Sequence, residues 1–398
     1  MNASTLEPQS KLKSPSSKRR LRVGVDFHSF EGIFQGSRAR LLALFPHLFR
    51  ALGDDLDLVL FSGNPEGLRA ALPSVDASRV TFVKLESKGA LGRLIFEFPR
   101  LVKAHRLDAF HSQYVLPVGI NCGKIVSIHD ILFESHPQFF GRLFTLRSKL
   151  MMRRSARIAE AVITISDFSR DEIERRYGVP REKISTIPCA VDRERFSPGA
   201  VDTNALAARG LSPQGYLLVV GRIDPRKNSV AVVRAYSEQC VSKEPLVLVG
   251  QVADEATARE LDNLKLDGGK RVLVFGDVTD AELPGLYAGA KAFFFPSFAE
   301  GFGMPILEAM AAGAPVLTSN TTSMPEVAAE AAVLIDPSSD LDLRKGMELL
   351  LAPGEEGASL RSDLRARGLL RAGEYSWKQE ALRLGDLYRQ VAMAAARR

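Results

Sequence analysis

Residues 292–318 read AFFFPSFAEGFGMPILEAMAAGAPVLT, and this stretch decides the fold. It begins with an apolar run at 292–296 and passes through a loop that contains two glycines. A segment with Pro305 near its start follows, and a second apolar run ends at Thr318. Proline is favoured in the first turn of a helix, and short apolar runs are typical of strands buried on both faces. The stretch therefore predicts a strand, a loop, a helix and a second, parallel strand.

Similar apolar runs occur along the chain in two sets. The first set is LRVGVDF, DLVLF, VTFVK, DAFHS, KIVSIH and AVITIS, and the second is YLLVVG, PLVLVG, RVLVF, AFFFP, APVLT and AAVLID. Helical stretches separate the runs, which favours parallel strands in βαβ units. A chain of 398 residues also exceeds what one hydrophobic core usually organises. We therefore predict an α/β fold with two parallel sheets in two domains.

An irregular segment separates the two sets. Residues 188–213 contain three prolines, two glycines and no sustained periodicity, which is typical of a linker between domains. The predicted division of the chain is a disordered basic tail at 1–20, an N-terminal domain at 21–195, a linker at 196–213, a C-terminal domain at 214–375 and a final helix at 376–398.

The net charge of +6 comes mostly from the N-terminal end. Residues 1–22 contain six Lys or Arg and one acid, Glu7, so the remainder is close to neutral. A nucleic-acid-binding domain needs basic residues clustered on a folded face. We therefore predict no nucleic-acid partner. The Ser-, Pro- and Lys-rich tail is either a solubilising extension or a transient contact with anionic lipid.

Two further features bear on the compartment. No apolar run approaches the roughly 18 residues of a spanning helix, and the N-terminus lacks the pattern of a secretory signal. Cys122, Cys189 and Cys240 are scattered without metal-ligand or redox spacing. These observations predict a cytoplasmic protein that does not cross a membrane.

The loop and helix start at 297–308 have the features of a site for a phosphate and a sugar. Gly301 and Gly303 allow a bulky ligand to approach the backbone. The helix start presents free N–H groups and the positive end of the helix dipole, which favour a diphosphate. Glu300 precedes the helix and Glu308 lies inside it, so two carboxylates are available for separate hydroxyl groups. The alternative is that both glutamates are solvated and the glycines only turn the chain.

A second candidate loop follows the run YLLVVG and reads GRIDPRKN, residues 221–228. In open α/β sheets, ligands bind in the crevice at the carboxyl ends of the strands. Arg222 and Lys227 are therefore candidates to neutralise a diphosphate. The alternative is that both are ordinary surface residues in a polar turn.

Other ligand-binding patterns do not fit. A dinucleotide fingerprint needs GxGxxG and an acid about 20 residues later at the next strand end. Here Gly303 is followed by Met-Pro-Ile, and the next predicted strand ends in Ser319-Asn320. No P-loop pattern occurs, and no Asp-x-Asp sits at a strand end. We therefore predict no metal ion and no cofactor other than a co-substrate.

Three motifs, GRIDPRKN at 221–228, GDVTDAEL at 276–283 and EGFGMPILE at 300–308, resemble in sequence and order those of the retaining glycosyltransferases of the group 1, family-four kind. The resemblance implies the GT-B arrangement, in which two Rossmann-like domains face each other. It also implies that a nucleotide sugar is held mainly by the C-terminal domain, and that the final helix crosses back to the N-terminal domain.

The family's E-x7-E pattern matches Glu300 and Glu308. The resemblance implies that Glu308 holds the ribose, that Glu300 and the backbone after it hold the donor sugar, and that Val278 lies beside the base. Arg222 and Lys227 would hold the phosphates. The implied donor-binding residues are Gly221, Val278, Ser297, Gly301, Phe302, Gly303 and Glu308, and the implied catalytic residues are Arg222, Lys227, Glu300 and His129.

The N-terminal half resembles the family at fewer positions. His129, in the sequence SIHD at a strand end, matches a histidine that the family often has beside the donor sugar. Gly36, in the loop after VGVDF, matches the family's glycine-rich loop on the acceptor side, although the usual paired glycines are not present.

Residues 142–157 contain six basic residues, and there is no acid between Glu134 and Glu160. This segment is either a surface for a lipid diphosphate or an anionic membrane face, or an ordinary solvated helix. On a helical wheel its arginines and leucines do not segregate cleanly, so the sequence leaves both alternatives open.

The resemblance implies a retaining hexosyltransferase similar to the bacterial mannosyltransferases of surface polysaccharide synthesis. It favours GDP-mannose as the donor, with UDP-glucose as the other candidate. The acceptor would be a glycan or a polyprenyl-diphosphate-linked glycan, with peripheral contact at the inner membrane surface. A non-catalytic nucleotide-sugar-binding protein and a nucleotide-sugar epimerase or phosphorylase-like enzyme of the same two-domain plan are the alternatives.

Overall fold

The computed structural model describes residues 19–31, 35–72, 76, 78–239, 242–264 and 271–397. The tail predicted at 1–20 therefore lies outside the described residues except for its last two positions. Arg19 forms an ion pair with Asp108, and Arg20 forms one with Asp57. These contacts join the end of the tail to the first sheet.

The first half of the chain folds into a sheet in which neighbouring strands are parallel. In the described residues its strands are β1 (Leu21–Asp26), β2 (Leu56–Ser62), β3 (Val80–Lys84), β4 (Ala109–Gln113), β5 (Gly123–Ser127), β6 (Ala161–Thr164) and β7 (Ile184–Thr186). Their order across the sheet is β3-β2-β1-β4-β5-β6-β7. The apolar runs predict the first six. They do not predict β7, because a three-residue edge strand is too short to show a pattern.

The second half forms another parallel sheet. Within the described ranges its strands are β8 (Leu217–Val220), β9 (Leu246–Val249), β10 (Val272–Phe275), β11 (Ala292–Phe295), β12 (Val316–Ser319) and β13 (Ala332–Ile335). Their order is β10-β9-β8-β11-β12-β13, and each corresponds to a predicted run. The α/β fold with two parallel sheets is confirmed.

Helices connect the strands. Those of the first half are α1 (Gln35–Ala51), α2 (Pro65–Ala71), α3 (Ala90–Gly92), α4 (Phe98–Ala104), α5 (Leu132–Ser135), α6 (Arg142–Ile158) and α7 (Asp167–Tyr177). Those of the second half are α8 (Thr203–Ala208), α9 (Ser229–Gln239), α10 (Glu255–Asp262), α11 (Leu283–Gly289), α12 (Met304–Ala311), α13 (Met324–Ala328), α14 (Asp340–Leu351), α15 (Gly354–Gly373) and α16 (Trp377–Ala396). No helix within the described ranges combines the length and the apolar composition that a bilayer crossing requires.

Each sheet contains one point at which the direction of strand addition reverses. In the first sheet β2 and β3 are added on one side of β1, and β4 then pairs with the other side of β1. In the second sheet β9 and β10 are added on one side of β8, and β11 pairs with its other side. Ligands in open α/β sheets bind at the carboxyl ends of strands beside such a point. The loops that leave β8 and β11 contain the motifs at 221–228 and 300–308, so the topology brings these two motifs together.

The segment predicted as an irregular linker contains a helix. Asp202 caps α8, because its carboxylate accepts hydrogen bonds from the backbone N–H groups of Asn204 and Ala205, both at 3.0 Å. Leu206 on this helix is buried and fills the space beside Gly289 at the end of α11. The segment is therefore packed against the C-terminal domain rather than free of secondary structure.

The final helix crosses back to the first domain, as predicted. The hydroxyl of Tyr388 on α16 lies 2.7 Å from Nδ1 of His111 on β4. At the start of β5, a Cβ on Gly123 would lie 2.6 Å from Cγ1 of Val391, so the absence of a side chain there lets α16 approach the sheet. These contacts join the last residues of the chain to the centre of the first sheet.

His111 is buried beneath α16, with a hydrogen-bond partner at each ring nitrogen. Besides the contact with Tyr388, its Nε2 lies 2.8 Å from Oγ of Ser127. Burial, with a smaller contribution from the charge of Arg40, lowers the pKa of His111 to about 3. The imidazole is therefore neutral in the folded protein at pH values at which it is protonated in the unfolded chain.

The pH dependence of stability follows from this difference. Below pH 6.5 the unfolded chain binds a proton at His111 that the folded protein does not bind, so acidification towards the folded pKa destabilises the fold. We expect the stability advantage of the wild type over His111→Gln to shrink by up to about 1.4 kcal/mol per pH unit as pH falls below 6.5. Urea unfolding at several pH values measures this, and an advantage independent of pH would contradict it.

Candidate active site

The loop between β11 and α12 is fixed by hydrogen bonds from the last residue of β12 and from the loop that follows it. Oγ of Ser319 donates to the carbonyl of Ser297 at 2.7 Å, and Oγ of Ser323 donates to the carbonyls of Glu300 and Phe302, both at 2.9 Å. Gly303 precedes the helix with a φ of 102°, a left-handed conformation that glycine adopts without a steric penalty. The predicted start of the helix next to this glycine is confirmed.

Glu300 lies between two cations. Its Oε1 accepts a hydrogen bond from Nζ of Lys227 at 2.7 Å, and its Oε2 lies 3.0 Å from Nη1 of Arg226. Desolvation alone would raise the pKa of this buried carboxyl, but Lys227 and Arg226 together outweigh it and hold the pKa of Glu300 below its usual value. The two cations and this carboxylate meet at the carboxyl ends of β8 and β11, where the charges of Asp224 and Asp130 also act on Arg226.

The sequence pattern singles out Arg222 and Lys227 as residues that hold phosphates, and the structure adds Arg226, which contacts Glu300 together with Lys227. Arg222 is exposed, and its charge acts on Asp254 at the start of α10. Asp224 caps the turn at 225–227 by accepting from the N–H of Lys227 at 3.0 Å, which orients both side chains of the turn. Two consecutive cations in a turn capped by an aspartate are the sequence signal for Arg226.

The backbone segments after β8 and β9 approach each other closely beside Lys227, and this approach requires glycine. Gly221 and Gly250 have φ of 138° and 145°, and a Cβ on Gly250 would lie 2.1 Å from the carbonyl oxygen of Gly221. The stem of Lys227 lies over Gly221, with Cε 3.7 Å from the position of a Cβ there, and its Nζ lies 4.6 Å from the ring centroid of Phe295. These contacts hold the ammonium group beside Glu300.

The remaining donor-side residues occupy different environments. Glu308 accepts a hydrogen bond from the hydroxyl of Tyr287 at 3.0 Å, and desolvation raises the pKa of its carboxyl. Val278 is half-buried in the loop after β10. The side chain of Phe302 is buried against Tyr375, with ring centroids 5.7 Å apart, so only its backbone is available to a ligand.

His129 lies at the end of β5 on the opposite domain. Its Nδ1 is 3.0 Å from the hydroxyl of Tyr114 and 3.3 Å from Oγ of Ser37, whereas its buried Nε2 has no partner among the described residues. Burial, assisted by the charge of Arg40, lowers the pKa of His129 to about 3. The imidazole is therefore neutral, and its orientation is set through Nδ1.

Two further polar side chains at neighbouring strand ends have no partner in the described part of the chain. Gln113, the last residue of β4, is 2% exposed, and neither its Oε1 nor its Nε2 is hydrogen-bonded. Oγ of Ser29, just after β1, is likewise buried without a partner. Buried polar groups are normally paired, so each of these groups has capacity to bind water or a ligand. The sequence gives no signal for either, because their burial depends on the strand order.

The sequence predicts that Gly36 lies in a loop. In the structure it is instead the second residue of α1. Positions 32–34 lie outside the described residues. Further along the helix, Leu41, Leu44, Phe45 and Leu48 bury one continuous face of it. Gly36 is exposed, and the site on this side is instead reached by the next residue, Ser37.

The two domains meet at the loop that contains Glu300. Oγ of Ser166 donates to the carbonyl of Gly301 at 2.7 Å, and a Cβ on Gly301 would lie 2.5 Å from Oδ2 of Asp130. The rings of Phe139 and Phe298 stack across the same boundary, with centroids 5.7 Å apart. The cleft is therefore closed tightly around the loop, and a side chain at position 301 would force the domains apart.

This arrangement suits the departure of an anion. The positive charge at the strand ends and the N–H groups at the start of α12 are both held in a water-poor cleft, where electrostatic stabilisation is stronger than on an exposed surface. The neutral imidazole of His129 and the polar groups at the ends of β1 and β4 belong to the other domain.

Comparison with known proteins identifies the family. Residues 207–368 match the glycosyl transferases group 1, and residues 36–195 match glycosyltransferase family 4. The chain is 35% identical over 291 residues to the O-antigen chain mannosyltransferase B of Escherichia coli, and the match covers 71% of each protein.

Solved structures show the same fold at lower identity. Sucrose-phosphate synthase of Thermosynechococcus elongatus has a TM-score of 0.71 at 20% identity, covering 94% of this chain and 100% of that one. HepE of Anabaena, in complex with UDP and glucose, has a TM-score of 0.68 at 18% identity, covering 93% and 100%. With these matches and its two parallel sheets, the chain belongs to the group 1 glycosyltransferases of family 4 and is a hexosyltransferase of the GT-B fold.

Proposed function

We propose that this enzyme is a retaining, metal-independent mannosyltransferase that transfers mannose from GDP-mannose to a glycan or a polyprenyl-diphosphate-linked glycan. The observation that carries the proposal is the buried contact of Glu300 with Lys227 and Arg226 at the point where β8 meets β11. The relative with 35% identity is named a mannosyltransferase of the O-antigen chain, which supports mannose and a glycan acceptor. Such an acceptor would place the enzyme at the cytoplasmic face of a membrane.

The cations account for the departure of the nucleotide. As the bond from the anomeric carbon to the phosphate oxygen breaks, negative charge grows on the departing GDP. Lys227 and Arg226 are held in place by Glu300 before the reaction begins. Preorganised charge of this kind lowers the barrier because little reorganisation is needed. It supplies in this cleft the stabilisation that a divalent cation would supply elsewhere.

The carboxylates position the donor. The lowered pKa of Glu300 keeps it ionised at neutral pH, so it acts as a hydrogen-bond acceptor for hydroxyl groups of the sugar. Glu308 would hold the ribose, with the Tyr287 hydroxyl orienting its carboxylate. Neither residue attacks the sugar in this scheme. The acceptor hydroxyl attacks the anomeric carbon from the face that the phosphate leaves, and its proton passes to the departing phosphate oxygen.

The acceptor would lie against the first domain. Nε2 of His129 and the amide of Gln113 are buried polar groups without partners in the described residues, at the ends of two neighbouring strands. A neutral histidine and an amide each provide a donor or an acceptor without net charge, which suits sugar hydroxyl groups. We assign Gln113 to the acceptor side, while His129 keeps the place beside the donor sugar that the family resemblance implies.

Binding of the donor is the first test. A ligand present at 100 times its Kd stabilises the folded state by about 2.7 kcal/mol. We expect GDP-mannose to raise the melting temperature in a thermal-shift measurement more than UDP-glucose or dTDP-rhamnose does at equal concentration. UDP is the nucleotide present in the HepE structure, so a larger shift with UDP-glucose is the outcome that would replace mannose with glucose in the proposal.

The charge arrangement is tested by Lys227→Ala and Glu300→Gln. Removing one preorganised stabilising group costs about 10²- to 10³-fold in kcat, and we expect a fall of this size for Lys227→Ala. Glu300→Gln keeps the shape of the side chain but removes the charge that holds both cations, so we expect it to lower kcat as well. Release of GDP in the presence of acceptor measures both effects.

Lys378→Ala is the matched control, because Lys378 is exposed on α16 far along the chain from either loop. It should retain the wild-type rate. Circular dichroism and thermal unfolding should show that all three variants are folded. Wild-type turnover by folded Lys227→Ala and Glu300→Gln proteins would remove the basis of the site assignment.

Gln113→Leu tests the acceptor side. Replacing an unpaired buried amide with an apolar side chain of similar size removes a desolvation penalty of about 1–3 kcal/mol, so the free protein should be at least as stable as the wild type. We expect the KM for the acceptor to rise about tenfold while the KM for the donor is unchanged. Gln379→Leu, at an exposed position on α16, is the control for the same substitution. An unchanged acceptor KM in the Gln113 variant would exclude the contact.

A further inference from the structure

Exposed apolar side chains are concentrated in one part of the first domain. Among the described residues, sixteen large apolar side chains are exposed, and nine of these lie between positions 91 and 158. Scattered exposed apolar residues are normal on a soluble protein, whereas a cluster of them marks an interaction site. The concentration of exposed apolar side chains between positions 91 and 158 therefore points to a binding surface. Single exposed leucines elsewhere on the protein do not.

The first part of the cluster is the outer face of α6. Leu143, Leu146 and Leu150 are 81%, 68% and 75% exposed. Their spacing places them on one side of a helix. The opposite side is buried through Ser148, Met152, Ser155 and Ala156. The helix therefore carries an apolar stripe that faces away from its own domain. The sequence does not reveal this stripe, because leucines and arginines are intermixed along the segment.

The second part of the cluster lies at 91–96. Leu91 and Phe96 are 69% and 74% exposed, and Ile95 between them is 41% exposed. The N–H of Val118 donates to the carbonyl of Leu94 at 3.2 Å, which joins this segment to the loop after β4.

The same loop also contacts α6. The N–H of Leu116 donates to Oγ of Ser155 at 2.9 Å, and Nη1 of Arg154 donates to the carbonyl of Leu116 at 3.3 Å. Residues 91–96 and α6 therefore border one loop, which makes the two segments neighbours in the first domain.

The charge of this region is positive. Arg142, Arg147 and Arg154 are exposed on α6, and no acidic residue occurs between Glu134 and Glu160. Close to the second segment, Lys88 and Arg100 are exposed; the acid between them, Glu97, is buried and accepts from the N–H groups of Glu86 and Ser87. The exposed leucines are thus interleaved with cations rather than with acids.

We propose that the outer face of α6 and residues 91–96 form a docking surface for a membrane that contains anionic lipid. The leucines and Phe96 would enter the boundary between head groups and acyl chains, and the arginines would contact the lipid phosphates. An amphipathic helix with leucines and arginines on its exposed face fits such a boundary because both the apolar and the cationic groups find partners there. A protein partner would need acidic residues that complement these cations. A second copy docking through the same surface would not provide such acids.

The position of the surface gives it a role in the reaction. The turn at 137–139 leads directly into α6, and Phe139 in that turn stacks on Phe298 of the loop that contains Glu300. The start of α6 is therefore next to the cleft. A membrane held against α6 would place a lipid-linked acceptor at the entrance on the side of the first domain.

Vesicle flotation of the full-length protein tests the proposal without an activity measurement. We expect binding to vesicles of phosphatidylglycerol and phosphatidylcholine and much weaker binding to phosphatidylcholine alone, with a loss of binding as salt is raised. The variant L143S/L146S/L150S should reduce binding to the mixed vesicles at least about tenfold. The variant R147Q/R154Q should reduce it about fivefold for each arginine and leave the weak binding to phosphatidylcholine unchanged.

Two controls separate this surface from lipid contacts elsewhere on the protein. L341S/L349S changes two exposed leucines, 53% and 54% exposed, on α14 of the other domain, and it should bind vesicles as the wild type does. K11S/K13S/K18S removes cations of the tail. If vesicle binding required these lysines and survived the loss of the three leucines, the tail would be the lipid contact and the proposal would be wrong.

Sedimentation velocity tests whether the surface binds a second copy of the chain instead of a membrane. If the wild type were a dimer, the leucine variant a monomer and vesicle binding unaffected, the surface would be an interface between copies and the proposal would be overturned. The leucine and arginine variants of residues 143–154, 341 and 349 should turn over a water-soluble acceptor at the wild-type rate, because their substituted residues lie outside the cleft. Equal turnover also shows that any loss of vesicle binding does not come from misfolding.

Discussion

The contact of Glu300 with Lys227 and Arg226 is the interaction on which the cleft depends. The cations come from the loop after β8 and the carboxylate from the loop after β11, and these strands are neighbours because strand addition reverses there. Charges shielded from water attract each other more strongly than charges on an exposed surface. The contact therefore holds two loops together and keeps two cations in fixed positions at the carboxyl ends of the second sheet.

The first domain closes on the same loop through small groups. Ser166 donates to the carbonyl of Gly301, and Asp130 occupies the space in which a side chain at position 301 would lie. The cleft is thus narrow at the point where the charged loop meets the opposite domain. The final helix α16 returns to β4 through Tyr388 and His111, so the chain connects the two domains a second time. The two domains are therefore linked by the backbone as well as by contacts across the cleft.

The strands and the helix after Gly303 were predictable because apolar runs and turn residues report local structure directly. The exceptions have physical causes. The strand at Ile184–Thr186 is too short to show a pattern, and Asp202 starts a helix in a segment whose prolines and glycines suggest a linker. Gly36, which the sequence places in a loop, is the second residue of α1.

Sequence alone established the two-sheet α/β architecture, the family and the loops that form the cleft, since each of these follows from residues close together in the chain. Tertiary structure decided which side chains meet. It brought Arg226 rather than Arg222 to Glu300, left Gln113 buried without a partner in the described residues, and turned three leucines of α6 outward. Such outcomes depend on strand order and helix rotation, which place groups distant in sequence a few ångströms apart, and local patterns carry no information about those distances.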